Sequence, residues 1–246
     1  MNMNLLTGRK KSLIVLLLYW VALFIFTHIP VAPELLSKIQ ASDKKLHFIV
    51  FFVLSFLFFN SIGSAGRIDW KRKINWLFCV ILVVYAAGDE YLQGPVGRNV
   101  SFADFLANLA GITAGLIIMS FFEAAVSILI ILGLSIPVLT TAAQLRFEGA
   151  LWFVRPGLYF VLFGLLTYNW TRFFCRTFAS GKEKILKFIR ILSLPIGVLF
   201  LTAVVSAFFK KSFGVWEIFF SCLSITAFVF LYYRKILPFN RFNRQP

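Results

Sequence analysis

Long apolar runs alternate with short polar ones along the whole chain. The apolar runs cover Leu13–Ile29, Leu46–Ile62, Ile74–Tyr91, Phe102–Phe122, Ala124–Ala143, Gly157–Phe174, Ile191–Phe209 and Val215–Tyr233. A helix needs about 20 residues to cross a hydrocarbon core, so each run can span one with modest tilt or snorkelling. The runs are unbroken rather than alternating with period two, which sets aside a transmembrane barrel. The pattern therefore predicts an all-α, polytopic transmembrane bundle of about eight helices. The least obvious boundary is Glu123, the one charge between Phe102 and Ala143 apart from Asp104. A single straight helix over that stretch would be about 63 Å long at about 1.5 Å per residue, twice a bilayer core of about 30 Å. A break at Glu123 is expected.

Composition agrees with the pattern. Of 246 residues, 60% are hydrophobic and 14% charged, and mean hydropathy is +0.85. Soluble domains carry about 45–50% apolar and about 25% charged residues. A soluble globule of this size has nowhere to hide the excess apolar surface. Soluble enzymes, disordered tails and disulfide scaffolds are excluded together. Cys79, Cys175 and Cys222 lie in or beside apolar runs without a CxxC spacing, as unpaired packing residues do.

The formal charge of +15 changes the picture in one respect. With eight spans and a cytoplasmic N-terminus, 17 of the 25 Lys and Arg fall in inside loops and 8 outside. The positive-inside rule then puts both termini in the cytoplasm, in a multi-pass cell-membrane protein. No base-reading motif accompanies the charge, so nucleic acid is not an expected partner. Arg9-Lys10-Lys11 precedes Leu13–Ile29 with no small-x-small site following, and Pro30 and Pro33 intrude. That reads as an uncleaved signal anchor. Gln144–Pro156 and Gly181–Arg190 mix basic with apolar residues and suit a surface-lying segment or a charged loop. Tyr19 and Trp20 sit mid-span and fit no interfacial belt.

The unusual polar residues concentrate in the first half, at three places the topology puts on the outer face. Asp43 and His47 are four apart entering the second run, so they share a helix face. Asp89, Glu90 and Gln93 leave the third run, where buried acids are costly unless paired. Arg98, Ser101, Asp104 and Asn108 enter the fourth. Ser101 and Asp104 have capping-box spacing. Asp104, Asn108, Gly111 and Gly115 form one stripe, and Gly111-x-x-x-Gly115 admits a close helix neighbour. Arg98 is expected to pair with Asp89, Glu90 or Asp104. His28, alone at the end of the first run, reads as a snorkelling interface residue. No nucleophile elbow, HExxH, phosphatase-like set or phosphate loop appears, and the residues imply no cofactor and no metal.

Three motifs together, Asp43-Lys44-x-x-His47-Phe48, Glu90-x-x-Gln93 and Arg98-x-x-Ser101-x-x-Asp104-x-x-x-Asn108-x-x-Gly111-x-x-x-Gly115, resemble the VanZ-like family of bacterial membrane proteins. The resemblance covers about residues 12–122. It divides the chain into a VanZ-like four-helix membrane domain, 1–122, and a further four-helix region, 123–246, to which it assigns nothing. It implies a small protein of the bacterial cell envelope, and the family's named member is linked to glycopeptide (teicoplanin) resistance. It implies no catalytic residue. The expected partners are membrane lipids and a lipid-linked cell-wall precursor or glycopeptide. An outer pocket of His47, Glu90, Gln93, Arg98, Asp104 and Asn108 would suit an anionic or amide-rich headgroup, with room for a cationic or sugar portion. A membrane enzyme with His47 as general base and a small-solute transporter are the alternatives.

Overall fold

The computed structural model describes residues 3–28, 39–41, 43–62, 66–96, 100–145, 152–177, 184–211 and 213–236. Among them are eight α-helices: α1 Met3–His28, α2 Asp43–Ile62, α3 Lys73–Gln93, α4 Phe102–Phe121, α5 Ala124–Ala142, α6 Val154–Thr177, α7 Lys184–Phe208 and α8 Val215–Ile236. Two three-residue strands, β1 Ile39–Ala41 and β2 Ala143–Leu145, and one 3-10 turn, Gly94–Val96, complete the described elements. Among the described residues, six helices, α2 to α5, α7 and α8, are long and apolar enough to cross a membrane. The chain is a multi-pass helical membrane protein. Helices suit that setting because they satisfy every backbone N–H and C=O internally. Helix α6 falls outside the six; Tyr168, Asn169, Thr171 and Arg172 interrupt its apolar run.

The break anticipated at Glu123 is present. Phe122 is extended, at φ −120° and ψ 148°. The Glu123 carbonyl accepts the Val126 and Ser127 backbone N–H groups, opening α5. Of the two segments expected to suit a membrane surface or a charged loop, Gly181–Arg190 opens α7 from Lys184 on, so residues 184–190 belong to a long helix; residues 181–183 lie outside the described residues. Arg146–Leu151 in the other lie outside the described residues.

The chain divides into two compact units, 1–131 and 132–246, with the boundary inside α5. In the first unit α2 is the central helix and packs against α1, α3 and α4. Its phenylalanines, Phe51, Phe52, Phe56, Phe58 and Phe59, form the heart of the core with Leu82, Ile112 and Met119. The mid-span polar rings of α1 are used internally. Tyr19 Oη donates to the Val50 carbonyl at 2.9 Å. Trp20 packs edge-on against Phe58 and Tyr85.

Helices α2 and α4 run parallel in close contact, and the glycine stripe makes that approach possible. A Cβ on Gly111 would collide with the Phe48 carbonyl, and one on Gly115 with Ser55 Oγ. The second unit repeats the device on its own helices. Helices α6 and α8 pack closely, a Cβ on Gly164 would lie 2.9 Å from Ser224 Oγ, and Ser224 Oγ donates to the Phe160 carbonyl at 2.6 Å. At the start of this pair Arg155 Nε lies 3.2 Å from Glu217 Oε1, and Trp152 packs on Trp216. One turn along, Tyr159 Oη and Thr140 Oγ1 are 2.6 Å apart.

Candidate functional site: a buried polar network at one end of the first unit

The end of α1, the start of α2, the end of α3 and the start of α4 meet at one end of the first unit. Each contributes polar side chains from within or beside an apolar run. On α4 the start is fixed by Ser101, whose Oγ accepts the Asp104 backbone N–H at 3.4 Å, as the capping-box spacing requires. That cap turns Asp104 and, one turn on, Asn108 into the protein. Asn108 is fully buried, and Asp104, Asp89, Glu90, Gln93 and His47 are nearly so.

Asn108 joins three helices. Its Nδ2 donates to Glu90 Oε1 at 3.2 Å, and its Oδ1 lies 3.0 Å from His47 Nδ1. His47 Nδ1 is also 3.4 Å from Glu90 Oε1. Both neighbours of that ring nitrogen are acceptors, so Nδ1 carries the hydrogen and donates. Glu90 Oε1 therefore takes an amide donor and faces an imidazole donor together. Its other oxygen, Oε2, is buried without a hydrogen-bond partner among the described residues.

The adjacent acid turns toward α1. Thr27 Oγ1 is 3.0 Å from Asp89 Oδ1, and Gln93 Nε2 donates to Asp89 Oδ2 at 3.3 Å. The second contact is the i,i+4 pair read from the sequence. His28 stacks on Phe24 and places Nδ1 2.8 Å from Thr27 Oγ1, 3.0 Å from the Phe24 carbonyl and 4.0 Å from Asp89 Oδ1. The carbonyl and carboxylate can only accept, so Nδ1 holds the hydrogen here too. A chain of donors then runs from His28 through the Thr27 hydroxyl to Asp89. His28 Nε2 is buried without a hydrogen-bond partner among the described residues.

Of the residues anticipated from the sequence, His47, Asp89, Glu90, Gln93, Ser101, Asp104 and Asn108 come together in this region. Gly111 and Gly115 act in packing, where they hold α4 against α2. Arg98 and the Asp43 side chain lie outside the described residues, and with them the expected pairing of Arg98 with an acid. The partners seen for the two α3 acids are histidines, a threonine and amides. The reading of His28 as a snorkelling residue is corrected: its side chain is 10% exposed and faces Asp89. Thr27 and His28 were not anticipated as members. Their only signal was two polar residues closing an apolar run, a pattern shared with any helix end.

Two histidines and three carboxylates raise the question of a metal. Among the described residues, no three His, Cys, Asp or Glu side chains converge on a point where an ion would sit. The network is instead two adjacent pairs, His47 with Glu90 and His28 with Asp89, splayed to two sides of α3. Such an arrangement can hold hydrogen-bonding groups of a ligand, and it can hold or pass a proton between imidazole and carboxylate. No family model, curated protein or solved structure matches the chain.

Proposed function

We propose that the chain is a VanZ-like protein of the bacterial cell membrane, with both termini cytoplasmic, whose outward polar site binds a lipid headgroup or a cell-wall-linked molecule and so affects glycopeptide sensitivity. The observation that carries the reading is the convergence of His47, Glu90 and Asn108, with Asp89 beside them, at one end of four packed helices. Burying three acids and a histidine in an apolar bundle is costly even when they pair. Structural caps alone would need only Ser101 and Asp104 at a helix start. The resemblance of the motifs at Asp43–Phe48, Glu90–Gln93 and Arg98–Gly115 supports the family assignment. The bias of Lys and Arg supports the outward placement.

The test is complementation in a bacterial host. Alanine at His47, Glu90, Asp104 or Asn108 should change glycopeptide and envelope-stress sensitivity at normal protein level. If all four leave sensitivity unaltered, the network is structural and the proposal fails.

One observation favours a second reading, a membrane enzyme acting on a lipid-linked substrate. His47 Nδ1 lies 3.4 Å from Glu90 Oε1, an imidazole–carboxylate pairing of the kind that general acid–base chemistry uses. Turnover of a labelled undecaprenyl-type lipid by the purified protein would establish it; saturable binding without turnover would leave the first reading standing.

A further inference from the structure

We propose that the site takes the hydroxyl groups of a sugar headgroup, and that Glu90 is its anchor; the inference rests on the reading of this region as a headgroup site and names its ligand class. Among the described residues, the side-chain atoms of the network that are buried without a hydrogen-bond partner are Glu90 Oε2 and His28 Nε2. A carboxylate oxygen is an acceptor, and so is Nε2 of an imidazole whose one hydrogen sits on Nδ1. A buried acceptor without a donor has lost its water and gained nothing in return. A ligand seated here satisfies both atoms if it brings hydrogen-bond donors.

A phosphodiester brings only acceptor oxygens and would set acceptor against acceptor. A sugar brings hydroxyls that donate to Glu90 and accept from the amides of Asn108 and Gln93. Both amides have a second N–H beyond the one each gives to Glu90 or Asp89. The chain neighbours of the network suit an amphiphile. Tyr91, Leu92, Val100 and Phe102, beside Glu90 and Ser101, are exposed and apolar. A ring face can rest on Tyr91 or Phe102, and acyl chains can continue along that surface.

The experiment uses the full chain in phosphatidylcholine nanodiscs and reads its Tm. Three probes are added in turn: monoglucosyl diacylglycerol, free methyl glucoside, and phosphatidylmethanol, whose anionic headgroup has no hydroxyl. At about tenfold above Kd the glucolipid should raise Tm by about 3–5 °C, and phosphatidylmethanol should leave it unchanged. A rise with methyl glucoside as well means that the sugar alone suffices. A rise with the glucolipid alone means that the lipid anchor is required. Both support the inference. Glu90→Gln, which puts donors where the orphan acceptor stood, should abolish the rise.

A second probe needs no variant. A glucolipid with its hydroxyls methylated keeps the shape without the donors and should leave Tm unmoved. An equal rise with the methylated headgroup, or an undiminished rise in Glu90→Gln, overturns the inference. A rise with phosphatidylmethanol alone overturns it too, while leaving the headgroup-site reading in place. No response to any headgroup defeats both.

Discussion

His47 and Asn108 are 61 residues apart in the chain and meet, both buried, with Nδ1 and Oδ1 3.0 Å apart. The contact orders the whole network. With its Oδ1 engaged by His47, the Asn108 amide must turn its Nδ2 to Glu90. The orientation of one amide thus follows from the tautomer of one ring, and the Glu90 carboxylate is held by both.

The first prediction concerns this coupling. Asn108→Ala removes the amide donor that Glu90 Oε1 accepts and leaves a buried acid less satisfied, at a cost of about 1–3 kcal/mol. Glu90→Gln removes the charge that made the site expensive. The double variant Asn108→Ala/Glu90→Gln should therefore lose less stability than the sum of the two single variants, with a coupling of about 0.5–3 kcal/mol. Thermal melts of the four proteins in one detergent give the cycle, and strict additivity would contradict the network.

The glycine stripe yields a prediction that separates two neighbouring positions. Gly111→Ala drives a methyl group into the Phe48 backbone, which cannot be trimmed. Gly115→Ala drives one mainly into Ser55 Oγ, a side-chain atom. Both should destabilise by about 1–3 kcal/mol. Adding Ser55→Ala should restore part of the loss at Gly115 and none at Gly111. Equal rescue at both positions, or at neither, would mean that the α2–α4 approach is looser than described.

These residues also show what a sequence can and cannot tell. The acids and amides of α3 and α4 were legible because each interrupts an apolar run, and because i,i+4 and capping-box spacings are local geometry. Gly111 and Gly115 were legible for the same reason. Thr27 and His28 were not, because what makes them part of the site is Asp89, 62 residues from Thr27 in the chain. Tyr19 and Trp20 looked like misplaced interface residues. Their polar atoms and ring edges are satisfied by α2 and α3, which no period along α1 announces. The pair Arg155 and Glu217 was invisible for a related reason: Arg155 falls in the segment Gln144–Pro156, and the acid that meets it lies 62 residues further along the chain.

That pair supports its own prediction. Arg155 and Glu217 are about nine-tenths buried, with Nε and Oε1 at 3.2 Å. Removing one member of a buried ion pair strands the other, at a cost of about 3–5 kcal/mol, whereas replacing both with apolar residues can be close to neutral. Arg155→Met and Glu217→Leu should each lower the Tm sharply, and the double variant should recover most of the loss. A double variant worse than either single one would show that the ion pair does more than satisfy itself.

The orientation proposed for the chain can be read directly. Pro95 and Gly66 are exposed and lie in loops at opposite ends of α3. With the N-terminus cytoplasmic, a cysteine at Pro95 in a background without Cys79, Cys175 and Cys222 should react with a membrane-impermeant maleimide in intact cells. A cysteine at Gly66 should react only after permeabilisation. The reverse pattern would put the His47–Glu90–Asn108 network on the cytoplasmic face, and the lipids of the outer leaflet would no longer be its candidates.

The α1 arm of the site offers the last prediction. Thr27 receives His28 Nδ1 at 2.8 Å and reaches Asp89 Oδ1 at 3.0 Å, so its hydroxyl relays one hydrogen bond into another. Thr27→Val keeps the β-branched shape and removes the relay. Asp89 then keeps the Gln93 amide as its nearest donor, and the His28 ring loses the group that links it to the acid. The loss of one hydrogen bond to a charged group corresponds to about 1.5–3 kcal/mol. Thr27→Ser retains the hydroxyl and should cost less. Because Glu90 and Asn108 face α2 and α4 rather than α1, neither change should disturb the His47 contact. In a detergent melt, Thr27→Val should therefore add to His47→Ala within about 0.3–0.5 kcal/mol, as independent sites do. A larger coupling between Thr27 and His47 would mean that the two histidine–carboxylate pairs act as one unit across α3.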